Sequence, residues 1–232
     1  MQSAQRTARI AGLFFIGTFV FSIPALLFYD PVLNNHDYIL GSGFDTRISV
    51  GALLEVLLAI CNIATAVVIF PIVRRVNEAV SLGYVASRTV ESTIIVMGLI
   101  SLMSVVTLRD DLGGTGVDAG SLTLVGRSLV AFHDWTFLLG PQFCAGFGNG
   151  LLLGYLMYKS QLVPPRMALV GLIGGPLAFI GGVLALFGVV DHPSGGLFVL
   201  TIPEIVWEAF IAIYWTFVGF RRSSPLLAEA RT

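Results

Sequence analysis

Six long runs of mostly apolar residues dominate this 232-residue chain. They lie at about Ile10–Tyr29, Ile48–Val73, Tyr84–Thr107, Leu129–Tyr158, Met167–Val190 and Leu197–Phe220. A helix of about 20 apolar residues crosses the hydrocarbon core of a bilayer, where backbone polar groups must bond within the segment. The connections between the runs are short, which leaves no room for a separate soluble unit. The expected fold is therefore all-α: a polytopic membrane protein, a six-transmembrane-helix bundle forming one integral membrane domain over residues 1–232. The first run exceeds the roughly 7–15 residues of a signal-peptide core and lacks a small-x-small site, so it is expected to remain as a helix.

Charge supports the same fold. Only 12% of residues are charged, against about 25% in an ordinary soluble domain, too few to cover a water-facing surface. A net charge of −1 leaves no basic footprint for nucleic acid, so the expected partner is the lipid bilayer. A second copy or a partner membrane subunit is the expected kind of protein partner. Arg6, Arg9, Arg74, Arg75, Arg88, Lys159, Arg166, Arg221, Arg222 and Arg231 fall on one side of the runs. Arg47, Arg109 and Arg127 fall on the other, with the acidic loops. The positive-inside rule then places both termini in the cytoplasm. Pro31, Pro71 and Pro164-Pro165 are expected to punctuate helix ends. Gly146, Gly150 and Gly154 share one face of the fourth run, and Gly171 and Gly175 one face of the fifth. Such strips predict close helix–helix approach.

Function should lie in the ionisable residues inside the spans. A charge at the bilayer centre costs at least about 2.5–3.5 kcal/mol, so it needs a partner or a wet cavity. The set is Glu55, Glu91, Asp134, Glu204, Glu208 and Arg88, with Trp207 beside the last two acids. A rise of about 1.5 Å per residue puts Glu208 near the midplane, Glu204 about 6 Å further out, and Glu91 and Arg88 towards the inside. Asp134 and His133 lie near the outer boundary, while Asn62 and Gln142 add neutral polar groups at mid-depth. Glu204 and Glu208 are four apart on one helix face. Two carboxylates that close in low dielectric should not both ionise. By depth, Arg47 and Arg127 are their nearest basic candidates. Arg88 and Glu91, three apart, suit an intrahelical pair or a pairing across to another helix.

No HExxH or CxxC spacing occurs, and Cys61 and Cys144 stand alone in apolar runs, so no metal site or cofactor is assigned. The favoured reading is a small ion-coupled or proton-coupled transporter using the buried carboxylates. One alternative is a membrane enzyme acting from the outer side on a lipid-like substrate, with Asp134, His133, Glu55 and Glu204 as acid, base or ligands. Another is a non-catalytic membrane subunit or sensor whose buried charges are structural.

Several strings carry a family resemblance. They are Thr7-Ala8-Arg9, Gly51-Ala52-Leu53-Leu54-Glu55, Phe70-Pro71, Gly83-Tyr84, Arg88 through Glu91, Asp134 through Pro141, Leu169 through Pro176, and Pro203-Glu204 through Trp207-Glu208. In these the chain resembles a bacterial multipass membrane family known as domain of unknown function 4386. The resemblance implies a bacterial cytoplasmic-membrane protein and brings no activity, substrate or cofactor. His133 departs from the family pattern, which carries an arginine there, and a metal role for it loses weight.

Overall fold

A computed structural model describes residues 2–192 and 194–228; these are overwhelmingly helical, with no strand among them. Helix α1 (Gln2–Asn34) leads through a 3-10 turn at Tyr38–Leu40 to α2 (Thr46–Val73) and α3 (Glu78–Leu112). A continuous helical rod follows over 119–160. It consists of α4 (Ala119–Phe137), a π-helical segment Leu138–Gln142, α5 (Phe143–Ala145), a second π-helical segment Gly146–Leu153, and α6 (Gly154–Ser160). Helices α7 (Pro165–Leu186), α8 (Gly195–Phe217) and the short α9 (Pro225–Ala228) complete the chain. Among the described residues five helices, α1, α2, α3, α7 and α8, are long and apolar enough to cross a membrane. The fourth apolar run lies on the interrupted rod.

Local chemistry starts and bends these helices. The side chains of Asn77, Asp118 and Ser194 each accept an orphan amide at the start of α3, α4 and α8. Pro165 opens α7 at its first turn, where its missing N–H is not needed. Pro31 does not end α1 as expected, because the helix runs on to Asn34. A proline at 31 cannot donate to the carbonyl of Leu27. That freed oxygen accepts instead from Arg47 Nη2 at 2.7 Å. Pro71 likewise lies inside α2, close to its end. Pro141 falls in the first π-helical segment, where the ladder is already widened.

Each rod packs against the next in sequence, and α8 returns to α1, so the bundle closes as a ring. Gln5 Nε2 donates to Phe220 O at 2.8 Å and Arg75 Nη2 to Leu226 O at 2.9 Å, so both described ends of the chain share one end of the bundle. There a single apolar core joins all the rods, including Phe15, Tyr84, Leu156, Trp207 and Trp215. Towards the other end this core divides. One branch holds Ala25, Tyr29, Ile48, Val105 and Leu122 from α1 to α4. The smaller branch holds Leu138, Ala185 and Leu197 from the rod, α7 and α8. Tyr38 also belongs to the first branch; Arg109 stacks over its ring at 4.3 Å and its hydroxyl donates to Asp45 at 2.8 Å. Burial, then that carboxylate, push the Tyr38 phenol above its usual range.

The two glycine strips meet each other. A Cβ added at Gly146 would stand 2.8 Å from Gly175 O, and one at Gly154 3.2 Å from Leu172 N. Arg88, counted above among the topology-setting cations, is only 2% exposed and sits inside the bundle. Arg231 lies outside the described residues.

Candidate functional site

A cavity of about 600 Å³ occupies the space where the core divides. Glu55, Glu91, Glu204, Glu208 and Arg88 all line it, so the fold gathers five of the six charged candidates. They come from three helices: α2 supplies Glu55, α3 supplies Arg88 and Glu91, and α8 supplies the other two. Most of the remaining wall is apolar, including Phe19, Leu26, Ile95, Phe137 and Phe198.

At the deep end, Arg88 forms a closed set. Its Nη1 lies 2.6 Å from Glu91 Oε2, which makes the intrahelical pair, and its Nη2 donates to Asn62 Oδ1 at 2.5 Å across to α2. Asn62 Nδ2 returns a bond to Glu91 Oε1 at 3.3 Å. All three residues are under 5% exposed. Cation, carboxylate and amide thus satisfy one another, as a buried charge pair requires. Of the buried acids, it is Glu91 that pairs with Arg88. Arg47 is committed to Leu27 O, and Arg127 lines a separate outer hollow.

Glu208 accepts from Asn149 Nδ2, on the second π-helical segment. The Asn149 carbonyl in turn accepts from Trp207 Nε1 at 2.9 Å. Trp207 is fully buried and its indole lies where a Cβ on Gly171 would be 2.7 Å away. It therefore wedges α8 against α7 and the rod, and does not line the cavity.

Glu204 differs from the other acids. It is 2% exposed and faces the cavity, yet neither carboxyl oxygen has a hydrogen-bond partner among the described residues. Glycines make its seat: a Cβ on Gly150 would stand 2.5 Å from Glu204 Oε2, and one on Gly174 2.7 Å from Glu204 N. A buried charge left this way costs several kcal/mol, so the group must be neutral or meet a cation.

At the other end, Glu55 accepts from Tyr29 OH at 3.0 Å, and the Tyr29 ring meets His133 edge-on at 6.0 Å. We expect Tyr29→Phe to destabilise the protein by about 1 kcal/mol, because Glu55 loses its donor. Chemical unfolding in mixed micelles measures this, and an unchanged midpoint would show the bond contributes nothing. His133 lines the cavity but Asp134 does not, since neighbouring helix positions point about 100° apart. Asp134 instead lines an outer hollow of about 220 Å³ with Tyr38, His36 and Arg127. Its backbone oxygen lies 3.0 Å from His192 Nε2, and His192 stacks on Phe137, both of which line the cavity.

Gln142 ties the rod to its neighbours, donating to Ala178 O at 2.7 Å and to Thr201 Oγ1 at 3.0 Å. Two working residues escaped the sequence reading. Asn149 stands between the packing glycines Gly146 and Gly150, where a lone amide in an apolar run is itself a signal. Tyr29, at the end of the first apolar run, is fully buried. Among the described residues, no group of three His, Cys, Asp or Glu stands close enough to hold a metal ion.

No curated protein and no solved structure matches the chain. One family profile does, over residues 10–219, and it carries the description Domain of unknown function (DUF4386). That match covers most of the sequence, and the chain belongs to this family.

Proposed function

We propose that the protein crosses the membrane six times with both ends in the cytoplasm, and that it is a small proton-coupled carrier. The rod over 119–160 is the sixth crossing in this reading. Its π-helical segments keep the backbone bonded through the apolar depth. The cationic residues at the end that holds both described termini, Arg74, Arg75, Lys159, Arg166, Arg221 and Arg222, support the orientation. A bacterial cytoplasmic membrane fits the same charge bias and the family resemblance.

The observation that carries the carrier reading is Glu204. A buried carboxyl with no partner, in the wall of a cavity, exchanges a proton for a cation without breaking any protein contact. Glu208, four residues on and held by Asn149, provides a second acceptor on the same face. A second reading, a non-catalytic scaffold, draws support from the closed Arg88–Glu91–Asn62 set.

Liposomes with an imposed pH gradient and an internal pH dye separate the two. Purified protein is reconstituted and challenged with a panel of metal cations, hydrophilic amines and lipophilic cations. We expect at least one to collapse the gradient through the wild-type protein and none through Glu204→Gln. If no member of the panel exchanges for protons, the carrier reading is wrong and the scaffold reading stands.

A further inference from the structure

The cavity has a side opening. The first half of α1 packs closely on the second half of α8: Phe15 meets Trp215 edge-on at 5.7 Å, and a Cβ on Gly12 would stand 2.6 Å from Thr216 Oγ1. Further along, the same two helices both line the cavity instead, α1 through Ser22, Ile23 and Leu26, and α8 through Phe198, Thr201 and Ile205. Ile23, Leu26 and Phe198 are 57%, 41% and 60% exposed, so the lips of this gap are apolar and face the lipid. The division of the core into two branches falls at the same place. A molecule dissolved in the hydrocarbon reaches the cavity here without crossing a polar surface.

The chemistry inside is selective. Glu55, Glu204 and Glu208 line the cavity as well as Glu91, while Arg88, the one arginine in its wall among the described residues, is already bonded to Glu91 and Asn62. His133 and His192 also line it, so among the described residues four carboxyls face one arginine and two histidines. Glu204 stands ready with both oxygens free, and the Phe19, Phe137 and Phe198 rings also face the cavity. Aromatic faces attract a desolvated cation. At about 600 Å³ the space falls within the roughly 300–1,000 Å³ that takes a drug-sized molecule.

We propose that this cavity binds a cation carried on an apolar body, which enters sideways from the membrane between α1 and α8 and sets its charge against Glu204. The proposal deepens the carrier reading, since it names the class of substrate for the same site, but it is tested by binding alone.

The probe is tetraphenylphosphonium, with tetraphenylborate as a control of the same shape and opposite charge, titrated into the full-length protein in nonionic detergent. We expect the cation to bind at least about tenfold more tightly than the anion. Glu204→Gln should reduce the affinity for the cation by about tenfold or more and leave the weak affinity for the anion unchanged. Ile23→Trp, on the lipid-facing lip, should slow association while the folded protein keeps its unfolding midpoint. Equal affinity for the two probes in the wild-type protein would overturn the proposal whatever the variants do. So would full affinity in a folded Glu204→Gln. Competition identifies the source of the natural cation. Displacement by short-chain phosphatidylethanolamine points to a lipid head, and displacement by a free alkylamine alone points to a membrane-dissolved amine. Binding without proton exchange in liposomes would retain this inference and remove the carrier reading. Equal affinity for the two probes, together with proton exchange by a hydrophilic cation, would do the reverse.

Discussion

Arg88→Met should destabilise the protein by about 3–5 kcal/mol, the penalty for leaving a buried carboxylate without its counter-ion. Methionine keeps the length and apolar stem of arginine but supplies no charge and no donor. Glu91, 4% exposed, would lose its 2.6 Å partner, and Asn62 Oδ1 its 2.5 Å donor. Glu208, which also lines the cavity, would lose the nearby positive charge. The double variant Arg88→Met with Glu91→Leu should recover most of the loss, because a buried ion pair exchanged for apolar groups is often neutral. It should not recover all of it, since Asn62 would still lack a partner. Unfolding midpoints of the single and double variants, in one detergent, measure both effects. A single variant as stable as wild type would mean that the set does not hold α2 to α3. A double variant as weak as the single would place the loss at Asn62 and Glu208.

This prediction separates two kinds of buried charge that the sequence could not tell apart. A ruler of 1.5 Å per residue gives the depth of a side chain but not the direction it faces around the bundle. Depth alone made Arg47 and Arg127 the natural partners of Glu204 and Glu208. Arg47 is instead drawn to the carbonyl that Pro31 leaves free, a bond that depends on how α1 and α2 lie side by side. Asp134 was grouped with the cavity acids on depth, yet the helix turns it outwards while His133 turns in. What was legible was whatever repeats along one helix. The apolar runs became helices, and the glycines four apart became the surface where the rod meets α7. The π-helical segments were not legible, because no periodicity marks a widened turn. The lone proline at 141 and the dense glycines from 146 gave only the place. The acids that converge on the cavity therefore divide in their surroundings: Glu91 is bonded to Arg88 and Asn62, whereas Glu204 has no hydrogen-bond partner among the described residues.

Gly150→Ala should cost about 3 kcal/mol, the upper end of the usual range for overpacking a close contact. The added Cβ would stand 2.7 Å from Gly175 N and 2.5 Å from Glu204 Oε2. The carboxyl can swing away, but the backbone of α7 cannot yield without parting from the rod along the whole glycine seam. Affinity for tetraphenylphosphonium should fall with stability, since the same methyl occupies the seat that holds Glu204. Gly83→Ala is the control. Its Cβ would meet only Leu152 Cδ1, at an ordinary 3.4 Å. Alanine favours a helix over glycine by about 1 kcal/mol, so this variant should be neutral or more stable and should bind the cation as before. Unfolding midpoints and probe titrations on the two variants test the point together. If Gly150→Ala unfolds no earlier than Gly83→Ala, the close approach of rod and α7 is not what seats Glu204. If it unfolds earlier but binds the cation normally, the glycine seam serves packing alone and the carboxyl finds its place without it.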